Sequence, residues 1–310
     1  MNKKRIAIIG AGKLTYSLTP AIIKSGYDVQ IVISRRMSSA KSLANKFSIP
    51  QYSSSLKKIP DEVDVLLLTV PDGEIKRVAG SLSKLKLDFR NCICIHFSGV
   101  ENINALNPLK NKGCATGSLH IIRPFPSKNI VDIRNSPASI ETDSMQAKSF
   151  LLQICRKLKL KPHKITSEQK VFQHIAAVHS SNFLVGNLFN AFSLVNNKNN
   201  SPKEILRKTT QSALDNVFKL SPAKALSGPM DRGDVHTIKK HLEALDSEIR
   251  KSKSNKRLRL LRLNYILQSL NLLEVVKAKY GKLNKNHRTI EKILKSKLDS
   301  NDVGYGDTEK

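Results

Sequence analysis

The sequence predicts an α/β chain in which a doubly wound parallel sheet is followed by an all-α C-terminal region. Three observations carry this. The β-branched run Ile6-Ala7-Ile8-Ile9 ends in Gly10-Ala11-Gly12, and a helical pattern starts at once. Strand-like and helix-like patterns then alternate to about residue 165, as parallel sheets with crossover helices require. From Ser167 onward strand patterns stop and long amphipathic stretches take over. The expected division is a dinucleotide-binding domain over 1–165, a helical substrate and dimerisation domain over 166–300, and a polar, frayed tail over 301–310.

The first strand-to-helix turn is the most informative. Gly10 permits a tight turn, and Gly12 lets a pyrophosphate approach the backbone. Lys13 and Leu14 open the helix, whose free N–H groups and positive dipole end face the phosphates. The third glycine of G-x-G-x-x-G falls on Thr15, so the fingerprint is incomplete. The second strand, Asp28 to Ile33, ends in Ser34-Arg35-Arg36. An NAD enzyme places an acid there for the ribose hydroxyls, whereas Asp28 stands at the wrong end of the strand. A hydroxyl and two guanidiniums suit the 2′-phosphate of NADP, although two solvated arginines in a basic chain would look the same.

Further elements follow in order. Helix is expected over Ser38 to Phe47 and strand over Val63 to Val70, then Pro71-Asp72 and a helix to about Leu85. Strands are expected at Cys92–Phe97, Ala115–Ile122, Ala138–Glu141 and Pro162–Ile165, with a helix over Asp143 to Leu158. Beyond these, helices are expected at about 168–195, 202–218, 234–250, 257–278 and 287–298.

Composition bounds the function. At 310 residues the chain exceeds one usual core. Four cysteines without metal spacing, together with no signal peptide, point to a reducing, cytoplasmic setting. No run approaches the roughly 20 apolar residues of a membrane span. The net charge of +28 invites a nucleic-acid reading. Yet the lysines are scattered, aromatic interleaving is sparse, and no nucleic-acid motif is present, so specific nucleic-acid binding is not expected. The densest basic run, Arg250 to Arg257, reads as a solvated helix connection.

Beyond the two glycines, several stretches bear on family. They are Ser34-Arg35, Thr69-Val70-Pro71-Asp72, His96-Phe97-Ser98-Gly99, Gly117-Ser118-Leu119-His120, His174-Ile175-Ala176-Ala177-Val178 with Ser181-Asn182, and Ala225-Leu226-Ser227-Gly228-Pro229 with Arg232-Gly233-Asp234. In this order they resemble a Rossmann-like family with an uncharacterised all-helical C-terminal domain, related to prephenate dehydrogenases, pyrroline-carboxylate reductases and β-hydroxyacid dehydrogenases. The resemblance spans residues 5 to about 245. Thr15 departs from the pattern, as does Ile121-Ile122-Arg123-Pro124 where a proline would directly follow His120. The resemblance implies an NADP-dependent oxidoreductase acting on a C=O or C=N group of a small metabolite in a cleft between the domains. An NADP-binding sensor or scaffold without turnover is the alternative, and a basic nucleic-acid-associated protein a third.

Active-site groups are expected at the carboxyl ends of the strands. The backbone at Val70 and Pro71 would line the nicotinamide side, with Asp72 capping the next helix. His96 fits a core histidine and an active-site group equally. His120 ends a strand and resembles the substrate-side histidine of prephenate dehydrogenases, a plausible proton donor or acceptor. On the 168–195 helix, Lys170, His174 and Ser181 fall within about 40° of one another, with Asn182 about 80° from His174. This helix reads as buried between domains, either as a structural network or with His174 as acid/base and Asn182 as a polarising amide. The histidine spacings suit no metal pair, and no metal is expected. Asp234 is expected to cap its helix, and Arg232 to form a structural salt bridge or, alternatively, to bind an acidic substrate group across a dimer. The apolar helical faces of the C-terminal half lead us to expect a homodimer.

Overall fold

Runs of Ile, Val and Leu bounded by glycine turns and amphipathic stretches build eight strands and thirteen helices in the computed structural model, which describes residues 3–195, 201–251 and 256–299. The strands are β1 (Arg5–Ile9), β2 (Asp28–Ile33), β3 (Gln51–Ser53), β4 (Val65–Leu68), β5 (Ile93–His96), β6 (Ala115–Ile121), β7 (Pro137–Glu141) and β8 (Lys161–Lys164). Helices α1 (Lys13–Lys24), α2 (Met37–Lys46), α3 (Ile75–Leu82), α4 (Asn107–Lys110) and α5 (Met145–Lys157) connect them.

One sheet holds all eight strands in the order β3-β2-β1-β4-β5-β6-β7-β8. The chain leaves β3 at one edge and re-enters beside β1 as β4, so the strand order reverses at the carboxyl ends of β1 and β4. Open α/β sheets bind ligands at such a switch point. The expected parallel sheet is corrected in one respect: β7 pairs antiparallel with β6, and β8 runs with β7. The short β3 has no counterpart in the sequence reading, because three residues are too few for a period to register.

Helices cover both faces of the sheet, which is why β4 and β5 are buried throughout rather than alternating, with His96 as their one polar residue. On one face Ile8, Leu67 and Ile95 pack with Leu18, Ile22, Leu43 and Phe150 from α1, α2 and α5. On the other, Ile9, Leu66, Leu68 and Cys94 pack with Ile75, Val78 and Leu109 from α3 and α4. All four cysteines are buried free thiols.

The chain divides into two compact units, Met1–Leu184 and Val185–Lys310. The first unit also contains α6 (Ser167–Ala177), whose N-terminus carries a capping box between Thr166 and Gln169. A π turn, Val178–Asn182, follows and leads into α7 (Phe183–Leu194). The single long helix expected over 168–195 is therefore interrupted. Within the first unit the side chains of α6 are mixed: Lys170 is fully buried and Phe172 is 74% exposed.

The second unit is helical, with α8 (Pro202–Leu220), α9 (Pro222–Ala225), α10 (Pro229–Arg232), α11 (Val235–Lys251), α12 (Lys256–Tyr280) and α13 (Lys285–Asp299). Its core joins Met230, Ile238, Leu242, Ile266, Leu273, Val276, Ile290 and Leu294. The spacing of Ile238, Leu242 and Leu245 along α11 is the stripe its amphipathic pattern calls for. The tail 301–310 lies outside the described residues, as do residues 252–255 of the basic run.

Candidate active site

The turn after β1 is fixed by Gly10 and Thr69. Gly10 has φ +121°, and a Cβ there would lie 2.5 Å from the backbone oxygen of Thr69. Its N–H donates to the Ile33 carbonyl at 2.7 Å, tying the turn to the end of β2. The Thr69 hydroxyl lies 3.1 Å from the Gly10 carbonyl and 3.2 Å from that of Ile9, and accepts from Thr15 at 3.0 Å. Thr15 is fully buried. The residue at the third-glycine position thus fastens α1 to the end of β4 by a hydroxyl relay instead of by close helix packing.

Gly12 differs. Its φ of −84° is open to any residue, and a Cβ would meet nothing closer than Thr69 O at 3.8 Å. The protein itself does not require glycine there, and the side its Cβ would occupy is open. No acidic residue stands in the first turn of α1, and its N-cap makes no side-chain hydrogen bond, so the N–H groups of the turn face outward unclaimed.

Around this turn is a cleft of about 410 Å³ lined by Gly10, Gly12, Ser34, Arg35, Arg36, Val70 and Pro71, together with Ser39, Glu74 and Arg77. Arg35 and Arg36 are exposed and have no ion-pair partner among the described residues. Arg77 is paired with Glu74. Lys13 and Leu14 do not line the cleft; Leu14 packs against the core beneath α1. Asp72 begins a short 3-10 turn and makes no capping bond to α3, correcting its expected role as a cap.

A second cluster lies along β5, β6 and β7. Ser118 stands opposite His96 on one side and Glu141 on the other, so three polar side chains share one rung of the sheet. All three are buried, and the fully buried Lys170 of α6 closes over them. Its ammonium lies 2.6 Å from Ser118 Oγ, 2.5 Å from the Glu101 carbonyl and 3.3 Å from Glu141 Oε2. Glu141 Oε1 accepts from Ser167 at 2.5 Å. Sequence reasoning singled out Lys170 but missed its partners. A lone glutamate ending the otherwise small or apolar run Ala138-Ser139-Ile140 was the available signal, since a carboxylate there must find a cation.

His120 lies two residues beyond Ser118, and one helical turn beyond Lys170 is His174. Their rings meet edge to face with centroids 5.9 Å apart. Gly99 makes room for both: a Cβ on it would be 2.6 Å from His174 Nδ1 and 2.8 Å from His120 Nε2. The Nδ1 atoms of both histidines are buried without a partner, as is His96 Nε2. Burial pushes His96 down to about 3, with Lys170 adding to the effect. His120 is pushed down to about 4, first by burial, then by His174 and Lys170. Both rings are neutral at pH 7.

The structure thus brings His120, His174 and Lys170 together. It does not bring Asn182 to them. The π turn adds a residue to the helical turn and takes Ser181 and Asn182 off the His174 stripe. Asn182 is exposed, with its Oδ1 2.9 Å from the Ser181 hydroxyl. In the second unit Asp234 caps α11 through the Thr237 N–H at 3.0 Å, as expected. Arg232 is exposed, and no salt bridge holds it among the described residues; its neighbour Asp231 is the paired group, 2.9 Å from Lys279. No group of three His, Cys, Asp or Glu side chains is placed to hold a metal among the described residues.

Comparison with known proteins bears on the fold and on two stretches of the chain. Residues 5–89 match the family described as NADP oxidoreductase, coenzyme F420-dependent, and residues 136–255 match a domain of unknown function, DUF2520. The chain is thus similar to a Rossmann-type oxidoreductase domain in its first part and to DUF2520 after it. The DUF2520 match begins at β7, takes in the last two strands of the sheet and includes Glu141, Lys170 and His174, so the buried cluster straddles β strands outside that match and residues within it. No curated protein matches the chain. Among solved structures, a candidate NADP oxidoreductase from Bacteroides fragilis is 24% identical, with a TM-score of 0.73 over 88% of this chain and 98% of that one. Prephenate dehydrogenase from A. aeolicus, solved with hydroxyphenyl propionate and NAD+, is 13% identical with a TM-score of 0.55 over 88% and 99%. Pyrroline-5-carboxylate reductase from Coxiella burnetii is 15% identical with a TM-score of 0.52 over 95% and 98%. At these identities the likeness is one of fold. Among the described residues no helix is long and apolar enough to cross a membrane.

Proposed function

We propose that this Rossmann–DUF2520 chain is an NADP-dependent oxidoreductase acting on a C=O or C=N group of a small metabolite, with His120 and His174 beside the reacting atom. The observation that carries the reading is the cleft at the switch point, where an open glycine edge, an unclaimed helix N-terminus and two unpaired arginines lie together. In this reading the backbone at Gly10 and Gly12 holds the pyrophosphate, and Ser34, Arg35 and Arg36 hold the 2′-phosphate. Bound NADP would supply the hydride chemistry. The chain's own part is to orient the substrate and move a proton at the imidazoles of His120 or His174, whose Nδ1 atoms have no protein partner.

A homodimer built on the second unit and a cytoplasmic setting belong to the same reading. Phe218 is 87% exposed and Phe189 60%, side chains that a second copy would cover. Four free thiols suit a reducing compartment.

The cofactor assignment is tested by fluorescence titration. NADPH should bind more tightly than NADH, and Arg35→Ala should remove most of the difference. A charged hydrogen bond is worth about 1.5–3 kcal/mol, or roughly 10- to 150-fold in affinity. Equal affinities in the parent protein overturn the assignment.

A further inference from the structure

The cluster of His120, His174 and Lys170 carries an electrostatic sign, and the sign bears on which bond it acts upon. Reduction of C=O and of C=N differ in the charge that the reacting heteroatom holds. A carbonyl oxygen gains negative charge as the hydride adds to carbon, and it then takes a proton. An iminium nitrogen starts positive and loses that charge. A site for the first should offer cations and N–H donors, and a site for the second a free carboxylate.

Beside the histidines stands a buried ammonium, Lys170, fixed by Ser118, the Glu101 carbonyl and Glu141. The one carboxylate buried with it has both oxygens engaged, by Ser167 and by Lys170 itself. Glu141 keeps its own charge, but of the pair it is Lys170 that acts on His120, together with the other groups facing that ring: His174, His163 and Asp72. Asp72 alone among these is acidic, and it is exposed, where solvent screens it. Burial and Lys170 together keep His120 neutral, so its ring presents one N–H donor.

We propose that Lys170 makes this cluster selective for an oxygen-bearing reacting carbon, a carbonyl or hydroxyl, over an iminium. The inference rests on the oxidoreductase reading above and deepens it. In the reducing direction the hydride forms the new C–H bond, the carbonyl π pair moves to oxygen, and that oxygen takes a proton from a neutral imidazole N–H. The imidazole regains its proton from solvent. Lys170 is a positioning residue here, since it touches neither substrate nor cofactor and acts through the histidines.

The test reads the side-chain resonances of His120 and His174 by NMR in the full chain without cofactor, so it does not depend on NADP binding. Formate serves as the anionic oxygen probe and ethylammonium as the cationic nitrogen probe. His236 and His241 serve as internal controls for non-specific anion binding to a chain of net charge +28. Formate should shift His120 and His174 saturably, ethylammonium should not, and Lys170→Met should weaken the formate effect at least tenfold. The same substitution should raise the pH at which His120 titrates, which a purely structural role would not predict. A response to ethylammonium but not formate, a response to neither, or a formate effect that survives in a folded Lys170→Met protein each overturns the proposal. If Lys170→Met does not fold, the two probes on the parent protein decide. Should the formate result hold while NADPH and NADH titrations both show no binding, the oxidoreductase reading fails and the anion site stands.

Discussion

Substituting the two glycines of the β1–α1 turn separates what the fold needs from what a ligand needs. In Gly10→Ala the new methyl would sit 2.5 Å from Thr69 O and 2.6 Å from Thr69 C, both backbone atoms of the neighbouring strand end. Neither can turn aside as a side chain would. The φ of +121° adds strain, since L-residues rarely adopt it. Strained backbone costs about 1–3 kcal/mol, and overpacking a tight site costs about as much again. Together these predict a loss of roughly 2–6 kcal/mol, or roughly 5–20 °C in the melting temperature of the first unit.

Gly12→Ala should behave in the opposite way. Its φ is ordinary and its nearest neighbour would be 3.8 Å away, so Tm should stay within about 2 °C of the parent. NADPH affinity should nevertheless fall about 10- to 100-fold, because a methyl would keep the phosphate oxygens from the N–H groups of the turn. The assays are thermal unfolding followed by circular dichroism, and NADPH fluorescence titration of each variant. A Gly12→Ala protein as unstable as Gly10→Ala would refute the geometry of the turn. Unchanged NADPH affinity in a stable Gly12→Ala protein would refute the placement of the pyrophosphate.

Three further outcomes are expected. Thr15→Val removes one buried hydroxyl and should cost about 1 kcal/mol in denaturant unfolding, whereas Thr69→Val strips the relay of its centre and should cost about 2–3; the reverse ranking would contradict the relay. Acid should destabilise the fold before the carboxylates titrate. His120 is held at about 4 against an ordinary 6.5, so the unfolded chain takes up the proton first and stability falls as pH drops from about 6.5 toward 4, by roughly 3 kcal/mol for this group. His96, held at about 3, adds a slope over the same interval, so His120→Asn should remove only about half of it, and a parent stability constant between pH 7 and 5 would show that neither histidine is buried as described. Light scattering should give a dimer at micromolar concentration, and a monomer would leave the exposed Phe189 and Phe218 unexplained.

The order of strands and helices in the first unit was legible because its central strands are continuous apolar runs between glycine turns. The reversal of β7 was not, since Ala138-Ser139-Ile140-Glu141 reads the same in either direction and only pairing with β6 decides it. The cofactor turn was legible apart from Thr15, whose hydroxyl partner is 54 residues away. Angular reasoning brought Lys170 and His174 to one face correctly, since both lie before the π turn. It does not hold for Ser181 and Asn182, which lie in the π turn that no propensity pattern announces. The roles of Glu141 and Gly99 escaped notice for a related reason: their importance lies in partners on other strands and on α6.

The acid sensitivity and the proposed substrate class have one physical cause. Burying His96, Ser118, Glu141 and Lys170 on and above one rung of the sheet removes water from a charged pair, which costs stability unless every oxygen and proton is matched. Glu141 and Lys170 are matched; His96 Nε2, His120 Nδ1 and His174 Nδ1 are not. A core needing only a brace for α6 could end the cluster at the satisfied Lys170–Glu141 pair, and apolar residues of like volume would serve the rest at least as well. The unmatched imidazoles make sense where a ligand completes them, and the fixed ammonium beside them sets which ligand that is. If so, formate should reduce the acid sensitivity of the parent protein as well as shift its histidine resonances. An anion favours imidazolium in the folded state, raises the folded pKa of His120 and so narrows the interval over which the unfolded chain binds the extra proton. Sodium formate and sodium chloride at equal ionic strength, compared at pH 5, separate this from screening. Equal stability in the two salts would mean that the imidazoles complete no anion site and that their missing partners are a matter of packing alone.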